Sequence, residues 1–108
     1  MNQTMIHPTI ESFEQDILRN IKPVLVDFWA PWCGPCRALG VTLQDFSTAN
    51  INKVHVAKIN VDEYPELAER FEITSIPTLI LFKNGEAVAR ITGARSQDSL
   101  EGWVEEFV

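Results

Sequence analysis

The stretch from Pro23 to Ala30 limits the possible folds more than any other part of the sequence. It is β-branched and aromatic, and it is apolar along its whole length except at Asp27. A strand that alternates polar and apolar residues can leave one face in water, whereas this stretch has no polar face to expose. We therefore expect it to form a central strand of a sheet that is covered by helices.

Four other segments are predicted to form strands beside this central one. They lie at residues 3–7, 54–59, 78–82 and 87–91. Asn84-Gly85 separates the last two segments and is a strong signal for a hairpin turn. Pro8 would end the first strand, because proline cannot donate a hydrogen bond to a neighbouring strand. The sequence therefore predicts a sheet of about five strands.

Four helices are predicted from apolar residues that recur at three- and four-residue spacing. They are marked by Phe13, Ile17 and Ile21; by Leu39, Leu43 and Phe46; by Leu67, Ala68 and Phe71; and by Leu100, Trp103, Val104 and Phe107. Pro65 fits the first position of the third helix, and Ser96 is a candidate N-cap for the fourth. A helix between two strands favours their parallel pairing. The predicted order is β-α-β-α-β-α-β-β-α, an α/β fold with a single mixed sheet flanked by four helices.

Length, charge and hydropathy bound the class of protein. A chain of 108 residues is long enough for one core and too short for two, so residues 1–108 are predicted to form a single domain. The net charge of −6 disfavours nucleic acid and anionic membranes as partners, because phosphate binding requires clustered lysine and arginine. Nowhere is there a run of about 18 apolar residues, so no membrane span is predicted. Met1–Pro8 lack the basic and apolar regions of a signal peptide, and we therefore expect a cytoplasmic protein.

The two cysteines of the chain, Cys33 and Cys36, are better suited to chemistry than to reinforcement. Closing so short a loop stabilises a fold by roughly 2 kcal/mol, against about 4.7 kcal/mol for a loop of about 100 residues. The pair follows the central strand and begins a helix, where free N–H groups and the helix dipole stabilise an anion. Pro35 fits that first turn, since its missing N–H costs nothing there. Cys33 is thus the predicted exposed nucleophile, and Cys36, one turn further on, the predicted buried resolving thiol.

The cysteine pair has two other interpretations. Half of a zinc site is one, but zinc requires four ligands, there is no second cysteine pair, and His7 and His55 are isolated in the sequence. The other is that both cysteines are merely small buried residues, which their position at a helix start disfavours.

Residues 26–36, Val-Asp-Phe-Trp-Ala-Pro-Trp-Cys-Gly-Pro-Cys, resemble the active-site segment of thioredoxins. The resemblance continues through residues 58–62, 76–78 and 82–85 and Gly93, so it covers essentially the whole chain. It implies the thioredoxin fold and a monomeric protein disulfide reductase that keeps cytoplasmic protein thiols reduced. It also implies oxidised proteins as substrates and recycling by a flavoprotein thioredoxin reductase that draws on NADPH, with no cofactor bound to this chain.

The resemblance assigns roles to further residues. Asp27 would be the buried acid beneath Cys36 that accepts the proton of that thiol, with Lys58 modulating it. From the residues alone, Asp27 could equally be an ordinary hydrogen-bonded acid, and Lys58 a surface lysine with a buried stem. In the family the proline that corresponds to Pro77 is cis, and it presents the backbone of Ile76 to an extended substrate peptide.

The implied substrate groove surrounds the cysteines. Its residues would be Trp32, Gly34, Pro35, Val61, Ile76, Pro77, Gly93 and Ala94. Trp29 is expected to pack beneath the site, and Trp103 to belong to the core.

This sequence departs from the family pattern at a few positions. Val41, preceded by Gly40, stands where thioredoxins usually carry a proline within the active-site helix. Gly40 could still allow the kink that such a proline supplies. Ser75 and Thr92 replace glycine or an aliphatic residue, which would make the groove slightly more polar.

Two rival functions remain open at this point. An oxidising or isomerising relative would usually carry other residues between the cysteines, commonly with histidine before the second, and would sit in an export compartment. A binding module or subunit with the same fold, in which redox chemistry is incidental, is the rival from another class.

Overall fold

The structure, a computed structural model, describes residues 4–108. Its elements are β1 (Met5–Ile6), a π-helical segment (Glu14–Leu18), β2 (Val24–Trp29), α1 (Gly34–Ala49), β3 (His55–Asn60), α2 (Pro65–Arg70), β4 (Thr78–Lys83), β5 (Glu86–Thr92) and α3 (Gln97–Glu105). The predicted order of strands and helices is confirmed. The first strand is shorter than predicted, and residue 3 of that prediction lies outside the described residues.

The five strands form one mixed sheet in the order β1-β3-β2-β4-β5. β2 pairs in parallel with β3 and antiparallel with β4, so it occupies the centre. β1 adds to β3 in parallel, and β5 forms the antiparallel hairpin with β4 that Asn84-Gly85 predicted. Val24 to Phe28 are all 0 % exposed, which confirms the burial of β2 on both faces.

Helices cover the two faces of the sheet and build two apolar clusters. Val24, Val26 and Phe28 of β2 face a cluster that includes the π-helical segment and α2. Leu25 faces the other cluster, which α1 and α3 complete. Because side chains alternate along a strand, Asp27 lies on the same face as Leu25, toward α1. The strand pattern therefore points this carboxyl at the helix that carries the cysteines.

Helix starts follow the local chemistry of the sequence. Pro65 occupies the first turn of α2, and the Ser96 hydroxyl accepts a hydrogen bond from the Ser99 N–H at 3.1 Å to cap α3. Cys33 is the N-cap of α1, with Pro35 in the first turn. These predicted helix starts are confirmed.

The end of the first helix differs from the prediction, which placed Ile21 on its apolar face. The π-helical segment ends at Leu18, and Ile21 is 95 % exposed. Asn20 ends the turn, since its side chain donates to the Asp16 carbonyl and accepts from the Lys22 N–H. The side chain of asparagine competes here with helical backbone bonds, and Ile21 is left in the loop that leads to β2.

Candidate active site

Cys33 and Cys36 are joined by a disulfide at the start of α1, with their Cα atoms 5.2 Å apart. The Cys36 N–H donates a hydrogen bond to Cys33 Sγ at 3.2 Å. In the reduced protein the same backbone donor and the helix dipole would stabilise a thiolate on Cys33. The structure thus places the cysteine pair shortly after β2 and at the beginning of a helix, as the sequence predicted.

The predicted exposure of Cys33 is wrong. Cys33 is only 6 % exposed, and Cys36 is 0 % exposed. The carbonyl oxygen of Ile76 lies 3.9 Å from Cys33 Sγ, and the Cys33 N–H donates to the Ala30 carbonyl at 3.2 Å. The loop that contains Ile76 therefore covers much of Cys33, although Cys33 still has more contact with solvent than Cys36.

The Ile76–Pro77 peptide bond is cis, which confirms the prediction, and Pro77 is buried. The Gly93 N–H donates to the Pro77 carbonyl at 2.8 Å. Gly93 has φ of +92°, a conformation that glycine adopts without steric cost. Ile76, Pro77 and Gly93 therefore form one backbone assembly beside the disulfide.

A cavity of about 690 Å³ opens beside this assembly. Trp32, Val61 and Ile76, three of the predicted groove residues, line it. Gly34, Pro35, Gly93 and Ala94 do not line this cavity; Gly34, Pro35 and Ala94 are exposed, and Gly93 lies against Pro77. Ser75 also lines the cavity, as its departure from the family pattern suggested, whereas Thr92 does not.

Sequence reasoning missed one wall of the cavity. Pro65, Ala68 and Glu69 line it from α2, and Ile73 and Thr74 line it from the loop that follows. The three helical residues are spaced i, i+3 and i+4, which puts them on one face of the helix. That spacing is present in the sequence, where Ala68 also belongs to the apolar pattern that predicts the helix.

Trp32 is held over the site by a residue that the sequence analysis did not single out. Its indole Nε1 donates to Asp62 Oδ2 at 2.9 Å, and the side chain is 68 % exposed. The Asp62 N–H in turn donates to Asn60 Oδ1 at 2.9 Å. The sequence signal that points to Asp62 is its place in residues 58–62, the second segment that resembles thioredoxins.

Asp27 is fully buried, and neither oxygen of its carboxyl has a hydrogen-bond partner within residues 4–108. No group within the described residues therefore supplies the hydrogen bond that the ordinary structural interpretation of Asp27 requires. Burial raises the pKa of Asp27 from 3.8 to about 7, and the positive charge of Lys58 offsets part of that rise. A carboxyl with this pKa can gain or lose a proton near neutral pH.

Lys58 lies half-buried next to Asp27 in the parallel pair of β2 and β3. Its Nζ is 4.4 Å from the ring centroid of Trp29, a cation–π contact beneath the site. A cavity of about 240 Å³ is lined by Lys58, Trp29, Gly40 and Cys36, among others. Lys58 and Cys36 therefore border the same space.

The departure at Val41 leaves the active-site helix intact. α1 runs unbroken from Gly34 to Ala49, and Val41 is 68 % exposed on it. A Cβ on Gly40 would lie 3.2 Å from Lys58 Nζ, so this glycine allows the lysine to approach the helix closely. Trp103, predicted to be core, is only partly buried against the α1–α3 cluster.

The described part of the chain has neither a cluster of metal-ligating side chains nor a helix that could span a membrane. Residues 4–108 contain no group of three or more histidine, cysteine or acidic side chains arranged to hold a metal ion. Among the same residues, no helix combines the length and hydropathy needed to cross a bilayer.

Comparison with known proteins gives a consistent result. The thioredoxin family model matches residues 4–106. A thioredoxin of Alicyclobacillus acidocaldarius is 53 % identical over 87 residues, which cover 81 % of this chain and 83 % of that protein. A thioredoxin of Mycobacterium tuberculosis is 50 % identical over 95 residues, covering 88 % and 82 %. A Mycobacterium leprae protein named bifunctional thioredoxin reductase/thioredoxin is 47 % identical over 95 residues, 88 % of this chain but 21 % of that protein.

Proposed function

Since this chain belongs to the thioredoxin family and is a thiol–disulfide reductase, we propose that it reduces disulfides of cytoplasmic proteins through Cys33 and Cys36. The observation that carries the proposal is the disulfide at the start of α1, with the Ile76 carbonyl beside Cys33. We also propose that residues 1–108 form one domain that acts as a monomer.

The proposed reaction consists of two exchanges. The Cys33 thiolate attacks one sulfur of the substrate disulfide, which forms a mixed disulfide and releases the first substrate thiolate. Cys36 then gives up its proton and attacks Cys33 Sγ, which breaks the mixed disulfide and releases the second substrate thiolate. Two electrons pass from the protein dithiol to the substrate, and the protein is left with the Cys33–Cys36 disulfide.

Asp27 is proposed to accept the proton of Cys36 during the second exchange. It lies on the face of β2 that is directed toward α1, and its pKa of about 7 suits proton transfer near neutral pH. Lys58 is proposed to hold that pKa down by its charge. Neither residue is proposed to touch the substrate.

An extended segment of the substrate is proposed to dock along Ile76 and Pro77. Trp32 and Val61 would contact it from the cavity side, consistent with their place in the lining. The remaining proposed contacts are Gly34, Pro35, Gly93 and Ala94.

We propose that a flavoprotein thioredoxin reductase restores the dithiol with electrons from NADPH, and that this chain itself binds no cofactor. The printed name of the Mycobacterium leprae relative joins the two activities in one protein, which supports a reductase as the partner. The net charge of −6 supports the further proposal that neither nucleic acid nor membrane is a partner.

The test is a coupled assay with a thioredoxin reductase, NADPH and an oxidised protein such as insulin. We expect NADPH consumption that depends on this protein and is abolished in Cys33→Ser. If the chemically reduced protein reduces the substrate but the reductase does not turn the protein over, only the proposed recycling partner is rejected. No reduction in either format would reject the proposed function.

A further inference from the structure

The cavity beside the disulfide has apolar walls and one charged side chain. Val61, Pro65, Ala68 and Ile73 contribute apolar surface, and Trp32 bounds it on the side of the cysteines. The polar residues Thr74 and Ser75 are uncharged. Among the described residues, Glu69 is the one ionisable side chain in the lining. Such a cavity suits a side chain with an apolar stem and a cationic end, because the stem is desolvated while the charge meets a carboxylate.

Nothing in the described chain neutralises Glu69. Among residues 4–108, no ion pair or side-chain hydrogen bond engages its carboxylate. The neighbouring Arg70 is committed elsewhere, since its guanidinium lies 5.4 Å from the ring centroid of Phe13 and 5.1 Å from that of Phe71. The negative charge at the cavity is therefore available to a ligand.

The position of the cavity links it to the reaction. Ile76 lines the cavity and also places its carbonyl 3.9 Å from Cys33 Sγ. A substrate whose cysteine meets Cys33 along Ile76 has its neighbouring residues within a few ångströms of this cavity, because an extended chain advances about 3.3 Å per residue. We propose that the cavity is a specificity pocket for an arginine or lysine next to the reactive cysteine of the oxidised substrate, with Glu69 as the residue that selects it. This inference rests on the proposed function.

The test uses chemically reduced protein in single turnover, so that no reductase is required. The substrates are short peptides joined as disulfide homodimers, identical except for arginine, glutamine or glutamate at one position beside the cysteine, on either side in turn. Each rate is divided by the rate of the same peptide with dithiothreitol, which removes the effect of the peptide's own charge on its disulfide. Released peptide thiol is quantified by chromatography.

We expect the arginine peptide to react about fivefold faster than the glutamate peptide, at the upper end of what an exposed ion pair contributes. Glu69→Gln should bring that ratio close to one, and Glu69→Lys should invert it. Glu66→Gln is the matched control, because it removes the same charge from the same helix outside the cavity lining, and it should keep the preference. High salt should weaken the preference in the unaltered protein.

Three results would overturn the inference while leaving the proposed function intact. They are equal normalised rates for all peptides, an equal loss of preference in Glu66→Gln and Glu69→Gln, and a preference that survives Glu69→Gln. Failure of the unaltered protein to reduce any peptide, including the neutral one, would instead reject the proposed function as well.

Discussion

Asp27 and Lys58 are register partners on the adjacent parallel strands β2 and β3. Residues paired in this way point to the same face of a sheet, and here that face is covered by α1 and its cysteines. Burial favours the neutral carboxyl of Asp27, whereas the ammonium of Lys58 favours the charged one. The balance sets the pKa of Asp27 at about 7, within the range in which the carboxyl can exchange a proton.

Replacing Asp27 with alanine is expected to stabilise the fold at neutral pH. The unfolded chain ionises Asp27 first, near 3.8, while the folded protein holds the proton up to about pH 7. The cost to the native state is thus absent in acid, grows as pH rises from 3.8 to about 7, and is constant above. A rise of about three pKa units corresponds to about 4 kcal/mol, from which a small cavity in the variant subtracts.

Denaturant unfolding of both proteins at acid and alkaline pH measures this difference. The stability of Asp27→Ala relative to the unaltered protein should increase with pH across that interval. Asp45→Ala on the exposed surface of α1 is the control, because it removes a carboxyl that lies in water rather than in the core. A variant that is less stable at neutral pH and equally fast in disulfide reduction would make Asp27 an ordinary structural residue.

Replacing Lys58 with glutamine is expected to raise the pKa of Asp27 further, because the charge that lowers it is removed. The pH dependence of the second exchange, in which Cys36 attacks Cys33 Sγ, should also move to higher pH. Titration of the Asp27 carboxyl carbon by NMR measures the shift in the oxidised protein. Lys53→Gln, which removes a charge that pairs with Glu105 instead, should leave the titration in place. An unchanged titration in Lys58→Gln would contradict the electrostatic role.

In the reduced protein, Cys33 is expected to react with iodoacetamide before Cys36 near neutral pH. Cys33 is the N-cap of α1 and is 6 % exposed, whereas Cys36 is 0 % exposed. The greater accessibility of Cys33 and the stabilisation of its thiolate at the helix start both favour Cys33 as the nucleophile. Mass mapping of the alkylated peptides identifies the labelled residue, and labelling of Cys36 first would reverse the assigned roles.

Replacing Cys36 with serine is expected to accumulate mixed disulfides between Cys33 and substrate proteins. The nucleophile remains, but the thiol that would release the substrate is gone. Captured proteins are separated under non-reducing conditions and released by dithiothreitol. Cys33→Ser should capture none by this route. If iodoacetamide alkylates Cys33 normally in Cys36→Ser but the variant captures no protein, the result would count against the proposed docking along Ile76 and Pro77.

Much of the fold follows from patterns within a few residues. The central place of β2 follows from residues 24–28, which apart from Asp27 carry apolar side chains on both faces and so require cover on both sides. Ser96 caps a helix because its hydroxyl reaches an N–H three residues on. Ile21 shows the limit of the same reasoning, since its helical spacing was outweighed by the side-chain hydrogen bonds of Asn20.

The sequence by itself determined which segments form strands and helices, and it placed the cysteine pair at a helix start, since these features depend on neighbours along the chain. Only the tertiary structure decided that the Ile76 carbonyl covers Cys33 and that Asp27 has no hydrogen-bond partner within residues 4–108. It also decided which face of α2 meets the cavity, and so brought Glu69 to the site. These features join residues tens of positions apart, and their distances depend on how the sheet and helices pack, which no local pattern encodes.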